Sequence, residues 1–319
     1  MVSSPTDTSG SESIAVRTRG TAILLLASAI WGFAFVAQVA GMEHLGPFSF
    51  NALRFLLGSL VLLPFGLVAR RTPPSDAGTE RSKARRGVLL VGLVLFASST
   101  LQQVALITTT AGKAGFITGL YVILVPIYGL FLGQRVRTGV WFGAALAVGG
   151  LYLLTGPGAG GFRIGDALLL VSAFGWAIHV QLAAWLVQRV KPIHVAVAQT
   201  AICGLLSLAA ALATETITLA AVLGALPALL FAGVMSVGIA YTLQLIGQRS
   251  VDPARAGILI SLEAVFAVLG GWLILGETVT GAMLVGCALM LTGMIVSQLR
   301  RRASAESERS FGRMKKDAP

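Results

Sequence analysis

The sequence predicts an all-α integral membrane protein of about ten transmembrane helices, set out as two tandem five-helix repeats that point opposite ways. Three observations carry that expectation: scarce charge, apolar blocks of spanning length, and an internal repeat whose charge bias reverses. Of 319 residues, 55% are hydrophobic and only 12% charged, whereas soluble domains carry about 25% charged residues. The apolar residues gather in blocks of about twenty, the length a helix needs to cross about 30 Å of hydrocarbon. The 38 glycines fit the same class, because small residues let membrane helices approach closely.

Along the chain, residues 1–19 are polar, rich in Ser and Thr, and read as a disordered cytoplasmic tail. The first apolar block is too long for a typical signal-peptide core and reads as an uncleaved membrane helix. The predicted spans of the first repeat (20–155) are 20–40, 47–69, 87–107, 113–132 and 138–155. Those of the second (166–298) are 166–186, 192–213, 223–245, 253–275 and 278–298, and a basic cytoplasmic tail follows at 299–319. Connections such as 41–46, 134–137, 156–165 and 189–192 are short, which makes sequential helices antiparallel neighbours.

Orientation follows from Lys and Arg, which accumulate in cytoplasmic loops. With the amino terminus inside, the inside segments hold Arg17, Arg19, the 70–86 cluster, Arg135, Arg137, Arg189, Lys191, Arg249, Arg255 and the tail cations. That is 21 of the 24 basic residues; only Lys113 and Arg163 fall outside, and Arg54 lies within a span. Both termini are therefore expected in the cytoplasm. The formal charge of +11 is a topology signal, not a nucleic-acid patch, because the cations sit between apolar blocks with no aromatic interleaving. Cys203 and Cys287 each fall inside an apolar block without metal-ligand spacing, so no metal and no cofactor is expected.

Displaced by one repeat, Leu101-Gln102 lies on Leu243-Gln244, and Lys113-Ala114-Gly115 on Arg255-Ala256-Gly257. Gly143 then falls on Gly286, Gly150 on Gly293, Trp31 on Trp176 and Pro47 on Pro192. Small-xxx-small pairs recur as well: Gly115/Gly119 with Gly257/Ser261, and Gly139/Gly143 with Ala282/Gly286. Five spans per repeat force the second repeat to be inverted. The charges agree: the basic 70–86 loop corresponds to 214–222, which holds only Glu215, and Arg135 and Arg137 correspond to a turn holding Glu277. Inverted repeats of this kind characterise secondary transporters.

The residues also resemble the EamA-type family of the drug/metabolite transporter superfamily, ten-helix carriers with two EamA repeats. The resemblance covers roughly 20–298 and rests on Trp31-Gly32, on Pro47 through Arg54, on 115–134 (GFITGLYVILVPIYGLFLGQ) and on 257–277 (GILISLEAVFAVLGGWLILGE). The family often has Leu-Glu-Pro and a Gly-Glu in the last segment; here stand Leu262-Glu263-Ala264 and Gly276-Glu277. The first repeat keeps Pro126 but has Gln134 where the family often has Glu. The resemblance implies a secondary carrier in a prokaryotic inner membrane, frequently an exporter of metabolites or drugs.

Charge within hydrocarbon costs at least ~2.5–3.5 kcal/mol, so it calls for a reason. Glu263 falls near the midplane of its span, and Arg54 about 10 Å below the outer end of its own. Glu263 is a candidate proton- or cation-binding carboxylate and Arg54 an anchor for a substrate carboxylate or phosphate. The alternative is a stabilising Arg54–Glu263 ion pair. By the repeat, Glu263 corresponds to Tyr121 and Arg54 to Gln199, and transporter sites form near the midplane between repeats. The expected substrate cavity is therefore walled by Trp31, Arg54, Tyr121, Trp176, Gln199 and Glu263, with Glu263 as the proton-coupling group. The tryptophans can stack on aromatic or cationic solutes, or simply pack. His179 is either a proton relay or a helix-contact histidine, and His44 and His194 sit near the surfaces. Gln38, Gln102, Gln103, Gln181 and Gln244 line a polar path or bond between helices.

The expected function is alternating-access transport of a small molecule, with membrane lipids and no nucleic acid as further partners. No GxxxxGK[ST] run supports direct ATP drive. A membrane-embedded enzyme on lipid-linked substrates would need clustered Asp, Glu and His, and His44, His179 and His194 are far apart. A solute channel would want a charge ring or carbonyl filter, and the inverted repeat weighs against it.

Overall fold

The computed structural model describes residues 8–69, 79–108, 114, 117–155, 163–275 and 278–298, all of them helix or connecting turn. Among these residues seven helices are long and apolar enough to cross a membrane. They are α1 (within Thr8–Met42), α2 (Pro47–Val68), α3 (Thr79–Ala105), α6 (Ile164–Leu186), α7 (Pro192–Thr214), α8 (Leu226–Gly247) and α9 (Pro253–Ile274). Three shorter apolar helices occupy the remaining expected positions: α4 (Ile117–Phe131), α5 (Thr138–Thr155) and α10 (Gly281–Gln298). α1 runs from Thr8, within the 1–19 segment expected as a tail. No proline follows Pro5 before Pro47, and extending a formed helix is cheap compared with nucleating one. Lys113, Gly115, Gly276, Glu277 and the 299–319 tail lie outside the described residues.

Helix ends follow local chemistry. Pro47, Pro192 and Pro253 open α2, α7 and α9 in the first turn, where a missing N–H costs nothing. Asp252 accepts from the Arg255 N–H at 3.0 Å as the cap of α9. α2 is clasped at both ends by the second half of the chain. The Glu215 carboxylate accepts from the Phe48 and Ser49 N–H groups at its start, and His194 Nε2 lies 3.0 and 3.1 Å from the Gly66 and Ala69 carbonyls at its end. An acid at a helix start and a donor at its end both satisfy otherwise orphaned backbone groups.

Packing pairs α5 with α10, α2 with α7 and α4 with α9. It also places α1 on α8 and α9, α6 on α3 and α4, α2 on α8 and α7 on α3. Exchanging the first five helices with the last five maps this set of pairs onto itself. The partners within a pair run antiparallel. A Cβ on Gly143 would stand 2.6 Å from the Gly293 carbonyl oxygen and one on Gly150 2.5 Å from that of Gly286, so residue numbers rise on α5 as they fall on α10. The same order holds on α2 and α7, where Gly204 meets Leu56 and the Ser59 hydroxyl donates to the Val197 carbonyl at 3.3 Å.

α4 and α9 share an irregularity. At Leu120 and at Leu262 the ladder tightens to i→i−3 bonds: Ile123 N–H to Leu120 at 3.1 Å, Val265 N–H to Leu262 at 2.9 Å. The turn forms in α9 with Ala264 in place of the family's proline. A second irregularity, unforeseen in the sequence, is the π-helical stretch Phe231–Ala240 inside α8.

Candidate functional site

The two tightened turns hold the residues that follow them, Tyr121 and Glu263, face to face. The Tyr121 hydroxyl donates to Glu263 Oε1 at 3.3 Å. Residues that correspond by the repeat thus meet across the line between the halves. They border a cavity that also takes in Trp31, Arg54 and Trp176, so five of the six expected site residues come together. Its free space is about 60 Å³, room for a few water molecules and well under the roughly 300–1,000 Å³ of small-molecule pockets.

Gln199, the sixth, does not line this cavity. It is fully buried, and its carboxamide oxygen lies 3.0 Å from Nε2 of His179, whose ring meets Trp176 edge-on at 5.8 Å. His179 is fully buried there. Of its two expected roles, the helix-contact one describes this placement.

Arg54 and Glu263 do not form an ion pair. Among the described residues no carboxylate lies within ion-pair distance of the Arg54 guanidinium. Arg54 is 5% exposed. Its Nε donates to Asn51 Oδ1 at 2.9 Å, and its charge lies 4.9 Å from the Phe55 ring centroid and 5.7 Å from that of Phe50. Aromatic faces attract a cation but do not neutralise it. The guanidinium is thus buried beside the cavity without a carboxylate partner among the described residues.

The aromatic wall is built around Tyr241, a residue the sequence reading did not single out. Its ring lies 4.9 Å from Trp31, edge on, and 6.5 Å from Trp176, stacked. Both indole N–H groups are hydrogen-bonded to residues that line the cavity. Trp31 donates to the Ser236 carbonyl at 3.2 Å, within the π-helical stretch, and Trp176 to Gln102 Oε1 at 2.8 Å. π-Helical turns are frequent at functional sites. Phe35, Thr118 and Ser236 also line the cavity, as do Gln38, Gln102 and Gln244. The carboxamide oxygens of Gln38 and Gln244 are buried without a donor. The signal for Tyr241 was available: a phenol in the middle of an apolar span falls under the same rule that picked out Glu263.

On the Gln134 side, the cavity is sealed by packing of Leu24, Val125, Val180, Val251 and Leu259. Carboxamides bridge this plug. Gln181 Nε2 donates to the Val125 carbonyl at 2.8 Å, Gln134 Nε2 to Gln181 Oε1 at 2.9 Å, and Gln248 Nε2 to the Val180 carbonyl at 3.1 Å. Among the described residues no cluster of His, Cys, Asp and Glu suited to a metal occurs.

Comparison with known proteins agrees with this architecture. The family model for the EamA-like transporter family matches residues 18–156 and again 163–298. An uncharacterized transporter of Archaeoglobus fulgidus is 30% identical over 282 residues, 87% of this chain and 85% of that protein. The uncharacterized transporter YoaV of Bacillus subtilis is 20% identical over 84% of this chain and 92% of its own length. A solved crystal structure with 23% identity shares the fold, with a TM-score of 0.71 over 88% of this chain and 96% of that one. Integral to the membrane by its apolar helices and matched by one transporter family across both halves, the chain belongs to the EamA-like transporter family.

Proposed function

We propose that the protein is a secondary carrier that moves a small metabolite or drug-like solute by alternating access between two inverted five-helix halves. The three shorter helices complete the ten spans. The exchange-symmetric, antiparallel packing of α5 on α10 and α2 on α7 supports the inverted arrangement. The central cavity is the transport site, and its small volume is the contracted stage of the cycle. Export from the cytoplasm of a prokaryotic cell, across the inner membrane, is the direction the family resemblance favours. The Lys and Arg distribution supports an orientation with both termini inside.

The single observation that carries the reading is Arg54, without a carboxylate partner among the described residues, on the same cavity as a Tyr121–Glu263 contact contributed by both halves. Arg54 holds the anionic part of the solute. Glu263 takes up and releases a proton as the halves move, because its Tyr121 partner belongs to the other half and the bond breaks when they separate. The Gln134–Gln181 bridge and the apolar plug close the cytoplasmic side. This supplies what a carrier needs: a site, a barrier of few bonds, and a titratable group at the joint.

Thermal unfolding of the detergent-purified protein against a metabolite and drug panel tests the site. A ligand at 100 times its Kd adds about 2.7 kcal/mol of stability. Compounds that stabilise the wild type but not Arg54→Gln identify cargo bound at this cavity. Equal stabilisation of both forms removes Arg54 from the site and the proposal with it.

A further inference from the structure

A second, larger concavity lies apart from the transport cavity, on the flank between α3, α4 and α6. It encloses about 1060 Å³ and shares no residue with the central cavity. Its walls are apolar: Leu90 of α3, Phe131 of α4 and Ile178 of α6 are all exposed there, and Trp185 lines its inner end. Its rim is cationic, with Lys83, Arg86, Arg189 and Arg249.

The counter-charges leave this rim positive. Glu80 meets Lys83 at 2.8 Å and Arg189 at 3.7 Å, and Asp252 on the rim is engaged by Arg255 at 3.3 Å. Arg86 and Arg249 are exposed and have no carboxylate within ion-pair distance among the described residues. The Arg189 guanidinium lies over the Trp185 ring, 4.3 Å from its centroid, which joins the cationic rim to the apolar wall. Residues Ile178 to Arg189 extend over roughly 16 Å at 1.5 Å per residue, close to one leaflet of a hydrocarbon core about 30 Å thick.

We propose that this groove is a binding site for an anionic phospholipid of the leaflet on the basic side of the protein. The phosphate sits between Arg86 and Arg249, and one acyl chain lies along Leu90, Phe131, Ile178 and Trp185. Exposed apolar side chains alone suit any lipid; the paired cations at the headgroup end select a negative one. The site is independent of which solute the central cavity takes.

Trp185 supplies the readout. The protein is reconstituted with phosphatidylglycerol or phosphatidylcholine carrying brominated acyl chains, and the quenching lost on Trp185→Phe is taken as the groove signal. The expected result is half-maximal quenching of that signal at about tenfold lower mole fraction of brominated phosphatidylglycerol. Arg86→Gln with Arg249→Gln abolishes the preference, and Arg135→Gln with Arg137→Gln, which removes the same charge elsewhere, leaves it intact. Equal quenching by the two lipids overturns the proposal. So does a preference that survives the Arg86/Arg249 change, one lost equally in the Arg135/Arg137 control, or a signal unchanged by Trp185→Phe.

Discussion

At the scale of single residues, two groups that the lipid phase penalises, Arg54 and Glu263, stand at the cavity. Arg54 has a carboxamide and two aromatic rings around it and, among the described residues, no acid within ion-pair distance. In the proposed site a bound anion would offset its desolvation. Arg54→Leu is expected to leave thermal stability unchanged or raised while weakening solute binding about ten- to hundredfold, the worth of a charge-assisted hydrogen bond; binding and unfolding measured on the same preparation check both halves. Glu263→Gln keeps an acceptor for the Tyr121 hydroxyl but cannot lose a proton. It is expected to preserve folding and to remove the dependence of transport on a pH gradient, read as flux into proteoliposomes with and without that gradient. These two residues were legible in the sequence because charge inside a span is rare. Gln199 does not line this cavity, because the repeat fixes equivalent depth on a helix, and the face it turns to depends on neighbours. Tyr241 escaped because a phenol is only partly polar and blends into an apolar run.

At the scale of elements, contact between the halves is set by glycine faces and by capping across the repeat boundary. α5 and α10 approach so closely at Gly143 and Gly293 that a single added methyl group meets backbone. Gly143→Val is expected to destabilise the fold by ~1–3 kcal/mol through overpacking. Gly149→Ala, six residues on and with open space at its Cβ, is expected to be neutral; unfolding of the two variants side by side makes the comparison. Glu215→Ala removes the acceptor for two N–H groups at the start of α2 and should cost ~0.5–2 kcal/mol, the range of a lost helix cap. Helix existence was readable from apolar block length, and the spans at 47–69 and 192–213 lie within a residue of α2 and α7. The π-helical stretch of α8 was not readable. Its residues, FAGVMSVGIA, carry no proline or other local marker, and the wider turn is fixed by packing on α1 and α2.

At the scale of the whole molecule, symmetry connects sequence to mechanism. Three of the equivalent helix pairs, α2 with α7, α4 with α9 and α5 with α10, lie against each other, equivalent turns tighten α4 and α9, and the equivalent residues Tyr121 and Glu263 touch. The proposed alternating access would exchange two arrangements in which the halves swap roles. On the Gln134 side the cavity is bordered by an apolar cluster with a few carboxamide bonds, which such an exchange would have to break. The most direct measurement places one thiol in the cavity: Ser236→Cys, with Cys203 and Cys287 replaced by Ala, in sealed vesicles of defined orientation. A membrane-impermeant maleimide applied to either face should label it from both, and a transported compound should move the two rates in opposite directions. A thiol that reacts from neither face, or from one face alone under all conditions, would contradict a transport site at this cavity.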